Sequence, residues 1–195
     1  MKTVVYTYPH SGFLATEKDT ALIVNMILKN ENLKKMLHYP TADCLQKPRL
    51  SEEETFALFG NQIKIVPQIR VDEEVQTYLL ITFDDFVGNA TNPEFRDSII
   101  YFDIVCPYDQ WHLKDFELRP FKIAGELDSM FNDKHLTGIG TLQFMGARRF
   151  TVNDHFGGLC VMYNTVHGGE DRKHMPNPVN EEQFIENFDA MFNDK

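Results

Sequence analysis

The chain has 195 residues, of which 43% are hydrophobic and 25% charged, and it carries a formal net charge of −10. A chain of this length is expected to form one domain that buries roughly 70% of the surface its unfolded form exposes, so it needs no staple to hold a core. The excess of 29 acidic over 19 basic residues opposes tight nonspecific binding to nucleic acid, which depends on concentrated Lys and Arg. No run approaches the roughly eighteen apolar residues of a membrane span, and the apolar run at the N-terminus is too short for a signal peptide, which predicts that the protein stays in the cytoplasm where it is made.

After an N-terminal arm, Thr16 with Asp19 three residues on resembles a capping box, and Leu22/Ile23, Met26/Ile27, Leu33 and Met36/Leu37 recur at helical spacing. The helix this predicts is open to a break at Asn30–Asn32 and closes at Pro40. Ser51 with Glu54 forms a second capping box, and Gly60 a C-cap, around a short helix at about Glu52 to Phe59. The pattern then changes. "QIKIVPQIRV", "VQTYLLITF" and "SIIYFDIVCP" are short, rich in β-branched and aromatic residues, and read as strands, with Pro67 placing the first at an edge or bulge. In the third, Ile100, Phe102, Ile104 and Cys106 share one apolar face that should meet helices.

"RPFKIAGELDSMFN" predicts a helix with Pro120 at its first position and a stripe of Ile123/Ala124, Leu127 and Met130/Phe131. Two strands follow, Thr141 to Val152 and Leu159 to Val166, joined by the hairpin chemistry of "NDHFGG". The tail "HGGEDRKHMPNPVN" reads as a loop, after which Asn180 and Gln183 open a last helix with Phe184/Ile185, Phe188 and Met191/Phe192 on one face. That helix docks either on its own domain or on a neighbouring subunit. The fold class is α+β, a mostly antiparallel sheet of about five strands against amphipathic helices in the order α-α-β-β-β-α-β-β-α. Residues 1–166 form the domain with its N-terminal arm, and 167–195 the loop and docking helix.

Local motifs for catalysis are lacking. "GIGTLQ" puts Gln143 where a dinucleotide fingerprint needs its third glycine, and its glycines precede a strand instead of opening a helix, so it reads as a turn that Gly146 later bends. His167, Asp171 and His174 are metal-capable, but their spacing matches no helical or finger-type site. Asp84 and Asp85, with Asp103 or Asp109, are the kind of carboxylates that bind a divalent cation, although strand-end carboxylates more often solvate turns. Cys106 and His112 lie close in sequence, yet Pro107 marks a strand end and not a thiolate at a helix N-terminus. Cys106 and Cys160 sit in apolar runs where buried, reduced thiols are usual. Arg148 and Arg149, near Arg119 and Lys122 in element order, suggest a basic patch. By strand alternation the two arginines project to opposite faces, either as an inter-subunit ion pair or as a guard against edge aggregation.

The order helix, three strands, amphipathic helix and hairpin, with the stretches "NPEFRDSIIYFDIVCP", "RPFKIAGELDSMFN" and "GIGTLQFMGARRFTVNDHFGGLCVMY", resembles the phage tail terminator and tail completion proteins over Thr16 to Val166. An extra helix near Ser51 and the extension after Gly168 depart from the compact members of that family. The resemblance implies a non-enzymatic virion protein without a cofactor, metal or membrane partner, assembled in the host cytoplasm. Its copies, six in typical members, close into a ring at the head-proximal end of the tail. Its partners would be its own copies, the tail tube protein and a neck or head-closure protein, with genomic DNA passing through unbound. Arg148, Arg149, Phe184, Phe188 and Phe192 are then the contact candidates. The alternatives are a head-closure or adaptor ring of the neck, and a metal-assisted hydrolase or small-molecule binding α+β domain.

Overall fold

The computed structural model describes residues 13–67, 75–89, 96–136 and 140–167. Helix α1, Phe13–Lys29, begins ahead of Thr16, so the capping box expected there does not form. Thr16 lies inside the helix, where its carbonyl accepts the Thr20 hydroxyl at 2.7 Å. The break at Asn30 is complete. Asn30 caps α2, Glu31–His38, by accepting the Leu33 N–H on its side chain, and its amide donates to Glu126 at 2.9 Å. One residue thus ends a helix, starts the next and ties both to a third. The Ser51–Glu54 capping box forms in full at α3, Glu52–Asn61, whose regular part ends at Phe59 and at Gly60, with φ of +84°.

Of the described part of the first predicted strand, β1, Ile63–Lys64, pairs, and it runs parallel to the next strand. Val66 and Pro67 bend the chain away from it, as expected where proline removes a ladder donor. The remaining strands are long: β2, Tyr78–Gly88, and β3, Arg96–Pro107. Helix α4, Arg119–Phe131, carries proline in its first turn as expected. A small ladder of β4, His135–Leu136, with β5, Gly140–Thr141, precedes β6, Gln143–Thr151, and β7, Phe156–His167. This ladder was absent from the expected order. Gly140 turns it with φ of +79°, and a Cβ there would stand 2.9 Å from the Val166 carbonyl oxygen.

The main sheet has the order β1-β2-β3-β7-β6, antiparallel except for β1. Helices cover one face. Ile100, Phe102 and Ile104 point into that side with Leu79, Ile81, Val161 and Tyr163, against Ile23, Ile27, Leu33, Met36, Ile123, Leu127 and Phe131. Phe102 stacks on Phe131 at 5.2 Å and meets Tyr163 edge-on at 5.9 Å, and the Tyr163 hydroxyl donates to Asp128 at 3.0 Å. Ring pairs of this kind add about 0.5–1.5 kcal/mol beyond burial. On the opposite face Tyr78, Leu80, Val105 and Phe156 form a smaller cluster with Phe150 packed against it.

Strand β6 is an edge, and its register shifts between Phe144 and Gly146, the bend the sequence assigned to Gly146. Leu142 and Phe144 differ in burial. Leu142 is buried between strands, bonded through its backbone to Asp133 and Lys134, whereas Phe144 remains 49% exposed. The N-terminal arm, most of "DDFVGNATNPEF" beyond Asn89, and the tail with Asp171, His174, Phe184, Phe188 and Phe192 lie outside the described residues.

Candidate functional site

The densest unusual geometry lies between β3 and α4, and Arg119 builds it. Its side chain is 0% exposed. All five guanidinium donors are used: Nε to the Gln110 carbonyl at 2.9 Å, and the terminal nitrogens to the carbonyls of Met36, Tyr39, Pro40 and Thr41 at 2.5–3.0 Å. Among the described residues no carboxylate pairs with this charge. Met36 and Tyr39 stand at the C-terminal end of α2, where orphan carbonyls concentrate the negative end of the helix dipole. The basic patch expected from Arg119, Lys122 and the β6 arginines therefore does not form. Arg119 is consumed inside the fold, and Lys122 pairs with Glu117 at 2.8 Å.

Pinned by Arg119, the segment from Trp111 to Arg119 closes into a tight loop. The Arg119 N–H bonds to the Trp111 carbonyl at 2.8 Å, Leu113 N–H to Glu117 at 2.9 Å, and Lys114 N–H to Ala42 at 3.0 Å. A bridge joins His112 and Leu118. At the tip Asp115 and Phe116 both adopt left-handed backbone, with φ of 60° and 63°, a conformation costing roughly 1–2 kcal/mol for each L-residue. Phe116 is fully exposed at 101%. A strained loop holding a bare aromatic ring in water is stabilised neither by its backbone nor by burial, and such strain clusters where a segment contacts a ligand or partner. Phe121, in the first turn of α4, is 55% exposed.

On the other side of the loop is a cleft of about 450 Å³ lined by Tyr108, Trp111, His112, Arg149, Phe150 and Thr151. The Tyr108 and Trp111 rings lie 5.6 Å apart at 35°. Tyr108 lies over Gly157, where an added Cβ would stand 2.6 Å from its hydroxyl. Register separates the two β6 arginines as alternation predicts. Arg149 shares a row with Leu159, Ile104 and Leu79 on the helix-covered side, and Arg148 a row with Cys160, Asp103 and Leu80 on the other. Both are exposed on the edge strand, the position in which charge blunts edge-to-edge pairing.

The remaining candidates have structural work. Asp84 accepts the Asp85 N–H at the β2 bulge, and Asp85 accepts the Tyr101 hydroxyl at 2.7 Å. Asp103 belongs to the Cys160 row and is not gathered with them. Cys44, Cys106 and Cys160 are all buried free thiols. Burial pushes Cys106 up to about 11, against its bond with Thr77, and burial, then the bond to Asp103, pushes Cys160 up to about 12. Neither is a thiolate at neutral pH, so neither is an activated nucleophile. Cys106 and His112 form no hydrogen bond among the described residues. His167 ends β7, while Asp171 and His174 lie outside the described residues, and no group of three or more His, Cys, Asp or Glu among the described residues is placed to hold a metal ion. Among them, too, no helix is long and apolar enough to cross a membrane.

Sequence reasoning missed the loop tip and the role of Arg119. The signals were thin: an arginine directly before a helix-opening proline, and a phenylalanine in the charged run "LKDFEL". In comparison with known families, residues 30–165 match the model of the YomW family. No curated protein matches the chain.

Proposed function

Because the chain belongs to the YomW family, a Bacillus phage-derived family, we propose that it is a structural protein of the phage particle, forming a ring at the head-proximal end of the tail. The observation that carries this reading is the exposed Phe116 on a doubly left-handed tip. An apolar anchor maintained against backbone strain fits a protein whose work is contact. A ring is one heterologous contact repeated until it closes, and it requires complementary patches instead of catalytic groups. The exposed β6 edge, with Phe144 and Met145 bare beside Arg148 and Arg149, adds a second patch. The net charge of −10 suits a lining past which DNA moves without adhering.

In this reading the partners are further copies of the chain, the tail tube protein and a neck protein; a head-closure or adaptor ring would use the same surfaces toward the portal side. Immunogold labelling of particles of the encoding phage tests it. Label confined to the junction of head and tail supports the reading. Label over the capsid, or none on intact particles, removes it.

A further inference from the structure

The cleft beside the loop differs from an ordinary apolar crevice. Arg149 lies on its wall with His112, two tilted aromatic rings and Thr151, and its side chain makes no ion pair or hydrogen bond among the described residues. In a chain with 29 acidic and 19 basic residues, an arginine left without a carboxylate is an available cation. Planar guanidinium next to indole and phenol recognises a carboxylate adjoining an aromatic ring.

The chain contains a segment of that chemistry. Residues 180–195, "NEEQFIENFDAMFNDK", intersperse phenylalanines with carboxylates, with Asp189 directly after Phe188 and Asp194 two residues after Phe192. Strand β7 starts at Phe156, beside the cleft, and ends at His167, about 36 Å away at roughly 3.3 Å per residue. The described chain therefore stops at the end of the sheet opposite the cleft. Filling that cleft would require the segment to run back along the whole sheet, whereas an adjoining copy can offer its cleft at that far end. Resting on the ring reading, we infer that the C-terminal segment of one copy inserts its aromatic and acidic side chains into the Arg149–Trp111 cleft of the next. Repeated head to tail, this contact links copies in series and closes them into a ring.

Trp111 is the single tryptophan of the chain, so the cleft reports on itself. The full chain is diluted stepwise while its tryptophan emission and its mass by light scattering are followed together. The expected result is an emission maximum that shifts to the red as mass falls. Arg149→Glu and Phe188→Ser should each raise the concentration needed for assembly at least tenfold. Mixing these two variants should produce two-copy species that neither forms alone, because one retains a sound segment and the other a sound cleft. Assembly with wild-type midpoints in both variants, or emission indifferent to assembly, overturns the inference and leaves the ring reading standing. Emission that Phe188→Ser alters while mass stays at one copy places the segment in its own cleft and overturns it as well. A chain that stays monomeric with constant emission, alone and with tail tube protein, removes both.

Discussion

Arg119 shows how one side chain can set a surface it never reaches. Its five hydrogen bonds to carbonyls join the end of α2 to the start of α4, and the loop between Trp111 and Arg119 keeps its shape because its base cannot open. Removing the guanidinium would orphan buried carbonyls and break a buried charged network, a change that costs about 3–5 kcal/mol. Arg119→Ala should therefore lose about that much in urea unfolding, and Arg119→Lys, with fewer donors and no planar fork, should recover only part of it. Unfolding midpoints within error of wild type would show that the network contributes little.

Among the elements, the loop and α3 make opposite predictions about stability and function. At Phe116, φ of 63° favours glycine, so Phe116→Gly should raise stability by about 1 kcal/mol while weakening assembly, because the exposed ring is gone. Thermal melts and mass measurements on one sample check both signs; a variant that is less stable, or that assembles as wild type, contradicts the role given to the tip. In α3 the Ser51 hydroxyl accepts the Glu54 N–H at 3.1 Å, and the Glu54 carboxylate accepts the Ser51 N–H at 2.8 Å. Ser51→Ala should cost about 1 kcal/mol and leave assembly unchanged, as read by chemical unfolding and light scattering.

Much of this element structure was legible because period and caps are local properties. The Ile100-Phe102-Ile104 face, the Ser51–Glu54 box, the Asn30 break and the α4 stripe each lie within a few residues of the chain. What was not legible depended on distance. Arg119 finds partners 78 to 83 residues away, and no periodicity announces that. Phe116 is one phenylalanine among 16, and side-chain type does not reveal a positive φ. The N-terminus of α1 was misplaced since Thr16 suits a cap, while helical backbone already extends back to Phe13. Arg148 and Arg149 were separable by alternation alone, but the cleft that Arg149 shares with Trp111 arises from a loop contributed by another strand's end.

For the molecule as a whole, acids of raised pKa set an alkaline limit: burial raises Cys106 and Cys160, and the hydrogen bond to Asp85 raises Tyr101. Cys106, Cys160 and Tyr101 have folded values of about 11, 12 and 12, above 9.0 for the thiols and 10.0 for the phenol in unconstrained surroundings. A raised folded value means that the unfolded chain releases the proton first. The stability contributed by these groups is thus complete below about pH 9 and is lost as pH rises through 9 to 12. Thermal midpoints should be flat near neutrality and fall steeply across that window, and Cys160→Ala should lessen the fall. A midpoint independent of pH up to 12 would show that the two thiols are not buried, and Tyr101 not bonded to Asp85, as described.

Assembly is the property on which the functional reading depends most. The most direct measurement is the absolute mass of the full chain by light scattering over a broad concentration range, alone and with tail tube protein. The ring reading predicts a rise from 22.7 kDa to a fixed multiple that no longer increases with concentration, either unaided or once the tube protein is supplied. A mass of one protomer under every condition, or growth without limit, would contradict it.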